Sequence, residues 1–242
     1  DPVACHDALR GAQEVYALAA DMGGMGYIST HHADILRNNA LINLHTLESA
    51  RCHGVERYLY TSSACIYPQH LQVDAAVAPL REEDAYPADP QDAYGWEKVV
   101  TEKACEYYGL EHGLDVRVVR FHNIYGPNGT YQGGREKAPA ALCRKVAEVA
   151  DGGEIEVWGD GEQTRSFCYI DDCVEGIERI MRSPYGEPLN LGSDEMVSIN
   201  ELAAMIIAIS GKRDISIRHV EGPQGVRGRN SDNNRLRTVL GW

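Results

Sequence analysis

The chain has 242 residues, 43% of them hydrophobic, enough for one large α/β domain or two lobes sharing a core. A formal net charge of −13 argues against non-specific nucleic-acid binding and against anionic membranes, and a small polyanionic ligand then needs cations gathered locally. No apolar run is long enough to span a bilayer, and no basic stretch followed by an apolar one opens the chain. Seven scattered Cys without a CxxC pair predict neither a disulfide framework nor a zinc site, but reduced thiols in a cytoplasmic setting.

Residues 14–20 read as a short buried strand that ends in the turn Gly23-Gly24-Met25-Gly26. Residues 34–53 have helical periodicity and stop at Gly54; residues 57–62 are the next strand. The acidic, Pro-containing stretch 79–90 reads as an ordered loop. A long helix is predicted over 92–108, with Asp92 near its start and Gly109 past its end. Further on come a strand at 115–121, a helix at 137–150, a strand at 166–170, a helix at 171–182 and a strand at 188–191. The last elements are a helix at 198–209, with Ser198 and Glu201 in capping-box spacing, and a strand at 215–220.

Apolar strands alternating with helices predict a doubly wound, Rossmann-like parallel sheet covered on both faces, with a smaller α/β lobe beside it. The sheet lobe is expected over residues 1–122 with a return at 162–192, and the second lobe over 123–161 and 193–242. Such a sheet opens with G-x-G-x-x-G. None occurs, and the first strand reads as the fourth of such a fold, so the expectation is a chain lacking its first βαβ unit.

Two segments carry the chemistry. Tyr94 and Lys98 are four apart, so on a helix they share a face. An ammonium beside a phenol is expected to lower the phenol pKa and make Tyr94 a general base for an alcohol. Upstream, Ser63 and Cys65 are two apart, which places them on one face of an extended chain. Each has a plain structural alternative: a surface pair for Tyr94 and Lys98, and a buried free thiol for Cys65.

Tyr94-x-x-x-Lys98 with Ser62-Ser63 upstream resembles the extended short-chain dehydrogenase/reductase superfamily, which modifies nucleotide-diphospho-sugars. Ser62-Ser63-Ala64-Cys65-Ile66-Tyr67-Pro68, Gly133-Gly134-Arg135-Glu136-Lys137 and Val226-Arg227-Gly228-Arg229-Asn230 are similar to the GDP-mannose 3,5-epimerases within it, over nearly the whole chain.

The resemblance implies an NAD cofactor that transiently oxidises C4 of the hexose in GDP-mannose, after which C3 and C5 become acidic and are inverted toward GDP-L-galactose or GDP-L-gulose. It implies Tyr94 as oxidation base, Lys98 as its partner, and Ser63 as donor to the C4 oxygen. Cys65 and Lys137 would be the epimerising acid/base pair. Ala19 and Ala20, with Tyr94 and Lys98, would border the cofactor. Gly23, Asn123, Glu136, Lys145, Gln163 and one or both of Arg227 and Arg229 would hold the GDP-sugar. A homodimer is also implied; no metal is expected. The alternatives are a 4-epimerase or 4,6-dehydratase of the same superfamily, or a non-catalytic nucleotide-sugar-binding module.

Overall fold

In chain order the computed structural model, which describes residues 1–242, contains α1 (Pro2–Ala8), β1 (Glu14–Ala17), α2 (Met25–Ile28), α3 (His32–Cys52), β2 (Arg57–Ser63), α4 (Ala93–His112), β3 (Asp115–Phe121) and β4 (Ile124–Tyr125). There follow α5 (Ala138–Glu148), β5 (Glu154–Trp158), β6 (Thr164–Ser166), β7 (Cys168–Tyr169), α6 (Ile170–Arg182), β8 (Leu189–Leu191), β9 (Met196–Ser198), α7 (Ile199–Ser210), β10 (Ser216–Val220), β11 (Gly228–Arg229) and α8 (Asn234–Leu240).

The main sheet is parallel, in the order β1-β2-β3-β8. Parallel neighbours need long crossovers, and helices supply them. Tyr58 and Tyr60 point to one face, where they pack with Leu47 of α3 and Cys105 of α4. Leu59, on the opposite face by two-residue alternation, packs with Ile177 and Met181 of α6 and Leu236 of α8. Both faces are therefore covered, as the apolar strands predict. A second core lies where α5 and α7 cover the parallel pair β5 and β10. No helix is long and apolar enough to cross a membrane.

Most predicted elements are present with shifted ends. The strand expected over 14–20 stops at Ala17. The long helix starts at Ala93, capped by the Asp92 carboxylate, which accepts from Gly95 N at 3.0 Å, but it runs through Gly109 to His112. Gly113, at φ +69°, is its terminator, because that left-handed position is where a glycine is needed. The capping box of Ser198 and Glu201 forms at the start of α7. Strands β5 and β9 and helix α8 lie where the sequence predicted no element.

A buried polar node ties the sheet to its loops. The Asn190 amide on β8 donates to the carbonyls of Leu80 (2.9 Å) and Asp232 (3.2 Å). Its Oδ1 must therefore accept, from the Tyr67 hydroxyl at 2.6 Å and from His122 Nε2 at 3.0 Å. Burial holds His122 neutral, its pKa lowered to about 3.

Candidate active site

The carboxyl ends of β1, β2 and β3 lead into residues 18–24, 64–67 and 122–123, the place where parallel α/β sheets take ligands. Beyond Ser63 the chain does not stay extended. Residues Ala64–Ile66 form a single 3₁₀ turn that Ser63 caps, its hydroxyl oxygen accepting from Cys65 N at 3.1 Å. The expectation that Ser63 and Cys65 share a strand face is corrected by this turn.

Helix α4 brings its chemistry to the same place. Tyr94 (5% exposed) and Lys98 (1%) are on its buried face. An added Cβ on the intervening Gly95 would lie 2.3 Å from the Cys65 carbonyl oxygen and 2.6 Å from Pro90 Cβ. Only glycine lets the helix start press against the thiol's backbone. The Tyr94 hydroxyl faces Met22 Sδ at 4.0 Å, and the Ser63 hydroxyl favours the ionised phenol. Lys98 donates to Thr61 O at 3.1 Å, and its Nζ stands 5.4 Å from the centre of the Tyr94 ring.

The expectation of a lowered Tyr94 pKa is overturned. Burial pushes the phenol well above its usual value, and Cys65 and Glu97 add to the rise while Ser63 opposes it. The Lys98 ammonium is itself pushed down by burial. Beside it Glu97, 1% exposed, is raised to about 7 by burial, with Lys98 and Asn43 opposing the rise. Its Oε1 accepts from Asn43 and lies 3.9 Å from Lys98 Nζ, while Oε2 has no partner.

Lys137 precedes α5. It is reachable by solvent, yet surrounding protein atoms push its ammonium down, and Cys65 acts in the opposite sense. That combination is a side chain crowded by protein yet open to solvent. Cys65 also acts on Tyr94, Lys98 and Arg165, so the thiol lies at the electrostatic centre of the group.

Other predicted residues are distributed around this centre. Ala19 is exposed and Ala20 half-buried just past β1, after the exposed Leu18. Gly23 packs against Tyr27 and the Arg135 backbone; at its neighbour Gly24 a Cβ would lie 2.2 Å from the Glu136 carbonyl oxygen. Asn123, at φ +48°, donates to Ser166 O at 2.9 Å. Glu136 accepts from Gly134 N and stands 3.7 Å from Arg144. Lys145 donates to Glu156 O at 2.7 Å. Gln163 Nε2 donates to Trp158 O, while its buried Oε1 is unpartnered.

The two arginines separate. Arg227 makes a bidentate pair with Asp160 at 2.7 and 2.9 Å. Arg229, 8% exposed, donates to Gln72 Oε1 at 2.6 Å and to Cys65 Sγ at 3.3 Å. Sequence reasoning missed Arg165, whose guanidinium, lowered to about 9 by burial and by Arg229, donates to the carbonyls of Val226 and Thr164. It also missed Gly95, Asn43 and Glu97. Asn43 and Glu97 are polar residues on the inner faces of α3 and α4, and that misplacement in an apolar stripe was the available signal.

The comparisons agree with this geometry. The sequence pattern of the NAD dependent epimerase/dehydratase family matches residues 1–192. The GDP-mannose 3,5-epimerase of Arabidopsis thaliana is 52% identical over 238 residues, and GDP-mannose 3,5-epimerase 1 of Oryza sativa subsp. japonica 54%. Each alignment takes in 98% of this chain, which spans 62% of those relatives' length. Among solved structures, UDP-glucose 4-epimerase of Thermotoga maritima with UDP-glucose superposes with a TM-score of 0.85 at 26% identity, covering 100% of this chain and 76% of that one. The UDP-glucuronic acid 4-epimerase of Bacillus cereus, in complex with UDP-glucuronic acid and NAD, shares the fold with a TM-score of 0.84 at 23% identity, over 100% of this chain and 74% of that one. This chain belongs to the NAD dependent epimerase/dehydratase family.

Proposed function

We propose that the chain carries out NAD-dependent epimerisation of GDP-mannose at C3 and C5 through a transient C4 ketone. The observation that supports the reading is that Cys65 acts on both Lys137 and Tyr94, past the carboxyl end of β2 where Ser63 lies. A 4-epimerase or 4,6-dehydratase has no need of that pair. The names of the Arabidopsis and rice relatives support the same substrate.

Bound NAD⁺ supplies a reversible oxidation at C4. The small residues Ala19 and Ala20, with Tyr94 and Lys98, would border its nicotinamide end, the phenol and the ammonium standing beside each other on α4. Tyr94 takes the proton of the C4 hydroxyl and later returns it, and the positive charge of the nicotinamide ring would offset the burial that raises the phenol. Ser63 and Tyr94 donate to the C4 oxygen as negative charge develops there. Cys65 and Lys137 exchange protons at the neighbouring carbons from opposite faces, since inversion needs an acid and a base on opposite sides. The weak hydration of Lys137 keeps a neutral amine within reach.

Gln163, through its free Oε1, and Asn123, Glu136, Gly23 and Lys145 are assigned to the GDP-sugar. Arg227 serves the pyrophosphate by exchanging Asp160 for it. Arg229 acts at the thiol end of the sugar. The two-lobe division, 1–122 with 162–192 against 123–161 with 193–242, the cytoplasmic setting and the homodimer belong to the same proposal.

Incubation with GDP-mannose and NAD⁺ in D₂O tests it. Deuterium entering C5 and C3 is expected. Exchange at neither carbon, with C4 inversion or loss of the 6-hydroxyl instead, would reject it.

A further inference from the structure

Lys137 follows a strap that has its own latch. Gly133 and Gly134 stand at φ +88° and +84°, left-handed positions that favour glycine, and Gly134 N donates to Glu136 Oε2 at 2.7 Å. Immediately after them, Arg135 is held to the far side of the crevice. Its Nη1 donates to Asp21 Oδ1 at 2.8 Å and to Met22 O at 3.4 Å; its Nη2 donates to the Tyr27 hydroxyl at 2.7 Å. The guanidinium also lies 3.9 Å from the centre of the Tyr27 ring.

The receiving side is prepared. Asn38 Nδ2 donates to the other Asp21 oxygen at 2.7 Å, and the Tyr27 hydroxyl to Oδ1 at 3.1 Å. Asn39 brackets the Asp21 backbone, accepting from its N at 2.6 Å and donating to its O at 3.0 Å. Gly24 N then donates to Arg135 O at 3.0 Å, and the absence of a Cβ on Gly24 lets the Glu136 carbonyl close in. On its other side Lys137 begins α5, its carbonyl accepting from Ala141 N at 3.0 Å.

We propose that Arg135 is a positioning residue, latching the glycine-hinged strap 133–137 onto Asp21 and Tyr27 so that Lys137 is carried to the crevice wall opposite Ser63 and Tyr94. An exposed ion pair alone stabilises a fold little. Here the guanidinium adds a stacked aromatic face and two further hydrogen-bond partners, and all of them bear on five residues. The effect therefore falls on the order of the strap and not on the melting of the whole. Its catalytic consequence rests on the reaction proposed above.

The test uses Arg135→Ala, Arg135→Lys and Asp21→Asn. Amide hydrogen exchange reads the latch without any substrate. In Arg135→Ala, Gly24 and residues 134–137 should exchange about tenfold faster than in the parent, with Arg135→Lys between the two and the melting temperature unchanged. Unaltered exchange at those amides overturns the latch.

With GDP-mannose and NAD⁺, sugar inversion should fall about a hundredfold in Arg135→Ala, the scale of a misplaced catalytic group. Single-turnover reduction of the nicotinamide, which uses Tyr94 and Lys98, should stay within about twofold. A parallel fall in both, or in neither, overturns the positioning role. If the parent chain itself inverts nothing, the reaction reading fails, and the exchange measurement alone decides the latch.

Discussion

Gly95 approaches the backbone of Cys65 so closely that a single added methyl would sit 2.3 Å from its carbonyl oxygen. The helix that carries Tyr94 and Lys98 and the turn that carries the thiol are thereby locked at one separation. Gly95→Ala improves helix propensity by up to about 1 kcal/mol, but the clash opposes it with about 1–3 kcal/mol of overpacking. The clash is expected to win. Urea unfolding should show a net loss, and turnover should fall further than stability does, because Cys65 and Tyr94 are pushed apart.

Cys65→Ala and Tyr94→Phe should divide the reaction. The first removes a proton carrier of the inversion and leaves oxidation at C4 intact, so nicotinamide absorbance still changes on adding GDP-mannose. The second removes the base for the hydroxyl, and both signals should drop by about a hundredfold or more. Near-normal C5 inversion in Cys65→Ala would take the thiol out of the mechanism.

Glu97 gives a pH signature. Its folded pKa is about 7 against 4.5 for the free side chain. A carboxyl raised in the folded state binds its proton more tightly there, so its contribution is complete below pH 4.5 and is lost as pH climbs to about 7. His122, lowered to about 3, tilts stability the opposite way, rising with pH up to its free value of 6.5. Glu97→Gln keeps the acceptor for Asn43 and leaves the His122 slope in place. The stability difference between Glu97→Gln and the parent should therefore grow from pH 4.5 to 7 in favour of the glutamine, on the order of 3 kcal/mol, and then level off. A flat difference in chemical denaturation across that range would show that Glu97 ionises freely.

Arg120 and Glu102 form a buried bidentate ion pair at 3.0 and 2.8 Å, joining β3 to α4. Removing one partner strands the other charge. Glu102→Ala should cost about 3–5 kcal/mol in a thermal or urea melt.

The sheet was legible because its strands are apolar on both faces and are punctuated by helices with clear caps, such as Asp92 and Ser198. β5 was not, since Glu154 and Glu156 alternate outward and dilute a five-residue apolar signal. The thiol, the phenol and the ammonium could be named from local spacing and resemblance. What each experiences could not, because burial is a property of the assembled core. The lysine beside Tyr94 promised a more acidic phenol, and desolvation reversed the sign. Arg165 carries no local mark at all: its place beside Cys65 comes from β6 pairing with β11, some sixty residues away in the chain.

The carboxamide of Asn190 leaves the two loop walls little independence. One side chain secures the segments around Leu80, Asp232, Tyr67 and His122 together. Neither wall can breathe without stripping partners from the other. The entrance should consequently open through the glycine strap 133–137, and heating should release both walls in one step with β8.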